Sequence, residues 1–201
     1  MSKHYKKSDS NNNAIVIMQY KKKCAVLEQT LPPLHPDLGD LYWDMGNTYL
    51  GLSDYTNAIS CYQKCLAIRE QILPPLHIDL PRLYLNMGTA YYNLEDFANA
   101  ISYYEKCRTI YEQILPQLHP DLGILYLKIA STYNKLSDNV TALIYCEKCR
   151  AIFERILPHQ HPYLATLYLT MSLIYRIQGD NLNYLKYNKK CIAINKKMPP
   201  R

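Results

Sequence analysis

Apolar residues recur at helical spacing between positions 38 and 52, as Leu38, Leu41, Tyr42, Met45, Tyr49 and Leu52, and a second stripe follows at Ala58, Ile59, Tyr62, Cys65, Leu66 and Ile72. Apolar positions three and four residues apart mark one face of a helix, so this stretch predicts two amphipathic helices. Leu52-Ser53-Asp54 between them is a short turn with an N-capping residue for the second helix. So short a connection makes the two helices antiparallel neighbours. The first helix opens at His35-Pro36-Asp37. There Pro36 can take the first helical position, where its missing N–H would be unpaired anyway, and Asp37 meets the positive end of the helix dipole.

The same pattern returns every 42 residues: segments 31–72, 73–114, 115–156 and 157–197 align without a gap, and residues 14–30 match the second half of a unit. Small residues recur at Gly46, Gly88, Ala130 and Ser172, and again at Ala58, Ala100 and Ala142, where neighbouring helices must approach closely. A large side chain at such a place would overpack by roughly 1–3 kcal/mol. The expected organisation is a disordered polar tail at 1–13, a repeat domain over 14–197 and a short tail at 198–201.

Within each unit an aromatic is followed by a large-small pair, a Tyr, an Ala and a second aromatic. The matches are Tyr42, Met45-Gly46, Tyr49, Ala58 and Tyr62; Tyr84, Met87-Gly88, Tyr91, Ala100 and Tyr104; and Tyr126, Ile129-Ala130, Tyr133, Ala142 and Cys146. This resembles the tetratricopeptide (TPR) pattern. The fold class implied is all-α, an α-α superhelix or solenoid of about 4.5 repeats of 42 residues. The long unit, with its Leu-Pro-x-x-His-Pro-Asp-Leu loop and Glu-Lys-Cys-Arg-x-Ile second helix, is similar to the repeats of kinesin light chains over residues 14–197. The resemblance implies a cargo-binding region, and association with a kinesin heavy chain where a heptad coiled coil precedes the repeats. Residues 1–13, MSKHYKKSDSNNN, hold no heptads.

Composition narrows the function classes. Six scattered glycines in 201 residues cannot assemble a glycine-rich phosphate cradle, which excludes nucleotide enzymes built on such loops. The net charge of +6 is an end effect, because residues 1–23 carry +5, residues 181–201 carry +6 and residues 24–180 carry −5. A mildly acidic body argues against a nucleic-acid scaffold. No stretch reads as a membrane span or a secretory signal, so the expectation is a cytoplasmic protein with reduced cysteines and no membrane insertion.

Three residue types invite a catalytic reading and lose it to the period. His35, His77, His119 and His161 recur every 42 residues, whereas an active site needs one asymmetric constellation. They read as helix entry and loop packing. Cys65, Cys107, Cys149 and Cys191 keep the same spacing and read as small buried apolar residues. One helical Cys146-Glu-Lys-Cys149 without a second pair does not make a zinc site. Ten tyrosines on the repeat's aromatic positions read as core rather than as a base-stacking platform. The expectation is no catalytic residue, no metal and no cofactor.

What remains is the first helix of each unit, which lines the concave wall of such a stack, the usual place for an extended peptide. Counting from the first aromatic puts Trp43, Asp44, Asn47, Arg82, Asn86, Thr89, Asn93, Lys128, Ser131, Lys135 and Arg176 on that wall. Asn side chains can hold a peptide backbone bidentately, and the cations suit acidic residues. Asn86 falls where kinesin light chain repeats carry an Asn-Asn-Leu-Ala stretch, which implies a grip on cargo peptides. The clamp for chaperone carboxylates is excluded, since it wants Lys where Trp43, Leu85, Leu127 and Leu169 stand. The sequence thus predicts a monomeric, non-enzymatic module that binds an extended, partly acidic peptide. Two alternatives stay open: a generic TPR scaffold from a larger protein, and an RNA-binding helical repeat.

Overall fold

The computed structural model describes residues 2–197, with side chains from residue 15 onward. Among the described residues all regular structure is helical: nine α-helices and no strand. The chain divides into two compact units, Met1–Asp96 and Phe97–Arg201. The first unit holds α1 (Ser2–Thr30), α2 (Pro36–Gly51), α3 (Tyr55–Ile72) and α4 (Asp79–Asn93). There α2 packs on α1 and α3, and α4 packs on α3 and touches α2. The second unit holds α5 (Phe97–Ile114), α6 (Pro120–Lys135), α7 (Asn139–Ile156), α8 (Pro162–Ile177) and α9 (Asn181–Asn195). Its helices pack in sequence from α5 to α9, and α6 also touches α8. One lone helix followed by eight that alternate between first and second helices of the repeat is the element order the period requires.

One expectation changes at the N-terminus. Helix α1 begins at Ser2, so the segment 2–13, expected to be disordered, continues the helix predicted from residue 14. That segment contains neither Pro nor Gly. Extending an existing helix adds a hydrogen bond per residue without a new nucleus, so a polar run need not stop it. The tail expected at 198–201 lies outside the described residues.

Each first helix is entered through its histidine. His35, His119 and His161 are N-caps in extended backbone, and their Nδ1 atoms accept the N–H of Asp37, Asp121 and Tyr163 at 3.2, 3.1 and 3.1 Å. Each thereby satisfies one of the amide donors that a helix start leaves without an intrahelical partner. Pro follows at the first helical position, as predicted. In the second unit of the sequence Ile78 replaces Pro and α4 begins one residue later, yet His77 Nδ1 still accepts from Asp79 N–H at 3.3 Å.

The turn from first to second helix is built the same way each time. Ser53, Glu95, Ser137 and Gly179 adopt positive φ of 60–77°, the left-handed residue that ends many helices. The Asp that follows is committed to the next helix: Asp54, Asp138 and Asp180 accept from the N–H of Asn57, Thr141 and Asn183.

Packing between the paired helices turns on small residues. A Cβ on Gly46 would stand 2.4 Å from Tyr62 Cε1, and one on Gly123 would stand 2.3 Å from Phe153 Cε1. Both rings are fully buried, so neither can step aside. Ala130 occupies the position of Gly46 two periods on, where Cys146 replaces the aromatic. The pair exchanges volume and stays buried, as close packing demands.

The cysteines are free and buried, and burial pushes their thiols up, to about 12 for Cys65 and Cys146. Cys149, beside Cys146 in the sequence motif, is raised by the same cause. A thiol held protonated is a poor nucleophile and a poor metal ligand, and no group of three metal-ligating side chains forms among the described residues.

On the last helix Leu182, Leu185 and Ile192 stand exposed while Tyr187, Cys191 and Ile194 are buried. The lysines that make the helix look polar share its outer face with these apolar residues.

Candidate ligand-binding face

In the first unit α2 and α4 lie side by side, and the residues predicted to meet a ligand are partly tied to one another. Asn47 Oδ1 accepts from the Tyr62 hydroxyl and from Asn86 Nδ2, both at 2.9 Å. The oxygen expected to serve a peptide N–H is therefore spent on the fold. What remains for a ligand is the Asn47 amide donor and the Asn86 carbonyl. Trp43 is half-buried, its ring 5.8 Å from that of Tyr62 and 5.2 Å from the Arg69 guanidinium carbon. Arg69 is itself buried and bonds Asp40 Oδ1 at 3.0 Å, so Trp43 is held by cation–π contact and ring packing. Asp44 and Arg82 are exposed. Thr89 returns its hydroxyl to Leu85 O and Asn93 donates to Thr89 O, each at 2.8 Å.

In the second unit the corresponding helices are α6 and α8. Lys128 and Ser131 are half-buried, whereas Lys135 and Arg176 are exposed. Burial pulls the Lys128 ammonium below its ordinary pKa, and no carboxylate offsets the loss of water, since Nζ has no hydrogen-bond or ion-pair partner among the described residues. Asn134, on the same helix, keeps a buried Oδ1 without a donor. Leu169 and Ile177 of α8 are exposed beside these polar groups.

The cations sort by helix. Arg82, Lys128, Lys135 and Arg176, all on first helices, hold no ion pair or hydrogen bond among the described residues. Most cations facing the second helices are engaged. Arg108 bridges Glu105 and Glu112, Arg150 bridges Glu147 and Glu154, and Lys64, Lys148 and Lys190 pair with Glu28, Glu112 and Glu154.

The engaged set forms a ladder that sequence reasoning missed. The hydroxyls of Tyr42, Tyr84, Tyr126 and Tyr168 donate to Glu28, Glu70, Glu112 and Glu154, the last three at 2.8 Å. Lys64, Lys148 and Lys190 lie over the rings of Tyr42, Tyr126 and Tyr168 at 4.7–5.3 Å. Burial works to raise the Glu154 pKa, but hydrogen bonds from Tyr168 and Lys190 outweigh it and hold the carboxyl below the usual range. The signal was present in the glutamates, which recur every 42 residues like the tyrosines. Two open clefts lie along this ladder, one of about 490 Å³ at Glu154, Tyr168 and Lys190 and one of about 240 Å³ at Glu28, Tyr42 and Lys64. Their charged groups already satisfy one another, so the clefts belong to the packing.

The family model for the tetratricopeptide repeat matches residues 37–113 and 121–197. The chain belongs to the tetratricopeptide repeat family. Among solved structures, a TPR-like repeat protein from Podosopora anserina assigned as a kinesin light chain superposes with a TM-score of 0.78 at 17% identity, over 94% of this chain and 90% of that one. BtubC (BKLC) from P. vanneervenii gives 0.82 at 15% identity, over 96% and 78%. YrrB, a TPR protein with an unusual peptide-binding site, gives 0.66 at 17% identity, over 94% and 81%. At such identities the likeness is one of fold. Among curated proteins none matches the sequence. No described helix is long and apolar enough to cross a membrane.

Proposed function

We propose that this TPR protein is a non-catalytic, cytoplasmic interaction module that binds an extended peptide with acidic residues along the first helices of its repeats. The observation that carries the reading is the sorting of charge. Arg82, Lys128, Lys135 and Arg176 stand without partners on α4, α6 and α8, while Arg108 and Arg150 are each held by two carboxylates. A half-buried ammonium such as Lys128 loses hydration that an arriving carboxylate replaces. Exposed Leu169 and Ile177 on α8 offer apolar anchors, and Asn47 and Asn86 retain one donor and one acceptor for a peptide backbone. The fold that this chain shares with kinesin light chain-type repeats and with YrrB supports a protein ligand.

Selection from a random linear peptide display library with the purified chain tests the reading. Enrichment of peptides rich in Asp and Glu, lost when Arg82 and Lys128 are both changed to Glu, is the expected result. Enrichment of sequences without acidic bias, or the same acidic set with the doubly changed protein, would contradict it.

A further inference from the structure

The outer face of α9 stands where earlier second helices receive the next helix. In the first unit α3 packs against both α2 and α4, whereas α9 packs against α8 alone among the described helices. Register identifies the residues involved. Leu185 occupies the position of Ile59, and Ile192 that of Leu66, three periods earlier. Ile59 and Leu66 are 8% and 9% exposed, against 61% for Leu185 and 45% for Ile192. Both positions are apolar as they are in the first unit, yet here they are exposed.

The charges around this stripe are inverted relative to the preceding units. Lys189 stands where the two earlier units carry Glu105 and Glu147, and Lys196 stands where Glu70, Glu112 and Glu154 accept the tyrosine hydroxyl of the following helix. Between them, Ile192 replaces Arg108 and Arg150, the arginines that bridge those glutamates. An acidic face with a cationic centre has become a basic face with an apolar centre. Residues 181–197 contain five lysines and no acid. Lys190 is paired with Glu154 and Lys186 lies over Tyr187, but Lys189 and Lys196 are exposed and have no partner among the described residues.

We propose that this face of α9 is a docking site for an amphipathic helix of a partner protein, one whose apolar stripe is flanked by carboxylates. A helix fits because the equivalent surface of α3 is covered by one, and apolar anchors one heptad apart, as Leu185 and Ile192 are, suit a helix laid alongside. Carboxylates fit because both positions that carry Glu in the repeating face now carry Lys. A second copy of this chain fits less well, since α1 and α9, its two terminal helices, are both net basic. The site lies on a second helix rather than on the first helices, so it stands or falls independently of the peptide-binding reading.

The probe is a pair of synthetic helical peptides with Leu at two positions seven residues apart, flanked in one by Glu and in the other by Lys. Fluorescence anisotropy with the full chain should show binding of the Glu peptide and at least tenfold weaker binding of the Lys peptide. Leu185→Asn with Ile192→Asn should abolish binding, and Lys189→Glu with Lys196→Glu should exchange the preference. All four residues are exposed, so the fold survives, and Lys128→Glu should leave this binding unchanged. Equal affinity for both peptides, or retention of binding in the Asn variant, would overturn the proposal. So would dimerisation in sedimentation that the Asn variant abolishes, which assigns the face to a second copy. Binding to phosphatidylserine vesicles but not to the Glu peptide would assign it to a membrane surface and equally overturn it.

Discussion

The Tyr126 hydroxyl donates to Glu112 Oε1 at 2.8 Å across the loop that joins one repeat to the next. The carboxylate also receives Arg108 and lies near Lys148. Tyr126→Phe removes a charge-assisted hydrogen bond at a partly buried site, which should cost about 1–2 kcal/mol. For a chain of this size that lowers the melting temperature by roughly 3–6 °C. A cycle with Glu112→Gln should recover a coupling energy of about 1 kcal/mol. Additive effects of the two changes would show that the ladder contributes nothing to stability.

Gly46 and Gly51 lie on the same helix and should respond oppositely to alanine. The first faces the buried ring of Tyr62, while nothing lies within 4 Å of a Cβ on the second. Gly46→Ala should destabilise by about 2–3 kcal/mol through overpacking. Gly51→Ala should stabilise by up to about 1 kcal/mol through helix propensity. Urea midpoints of the two variants, moving apart from the parent, check the pair.

Acid should weaken the protein through its turns. Backbone N–H donors at Thr141 and Asn183 hold the Asp138 and Asp180 carboxyls below their usual pKa. A carboxyl depressed in the folded state adds stability that is complete above its unfolded pKa and is lost as pH falls through the folded one. Urea midpoints should therefore drop below about pH 4, and less steeply in Asp138→Asn with Asp180→Asn, since Asn caps without titrating. Identical pH profiles would remove these caps from the account.

Lys128 should show a stability cost kept for binding. Its ammonium is desolvated and unpartnered, which lowers its pKa. The charged form is the one penalised, so the cost is full at neutral pH and fades as pH rises toward the amine's pKa. Lys128→Met should stabilise at pH 7 by roughly 0.5–1 kcal/mol and weaken acidic-peptide binding. Thermal melts and anisotropy on one preparation separate the two effects. A loss of stability would mean that the ammonium is satisfied where it stands.

The sequence made the helices, their pairing and their histidine entries legible because each is local: a stripe, a turn and a cap within a few residues of one another. The Tyr126–Glu112 bond escaped because its partners lie 14 residues apart on different helices, and nothing short of their shared period links them. Asn47 was read as a free hand for a ligand, but its partners Tyr62 and Asn86 are 15 and 39 residues away. Pattern alone could not show that its oxygen was spent. The exposed apolar stripe of α9 escaped for a different reason. Five lysines dominate its composition, while exposure of Leu185 and Ile192 depends on a neighbouring helix that earlier units possess.

The affinity of one selected acidic peptide for the parent chain, for Arg82→Glu and for Lys128→Glu tests the central claim most directly. Each reversal replaces an attraction by a repulsion worth at least about 1.4 kcal/mol, so each should weaken binding tenfold or more. Affinities unchanged in both variants would contradict a ligand held along the first helices.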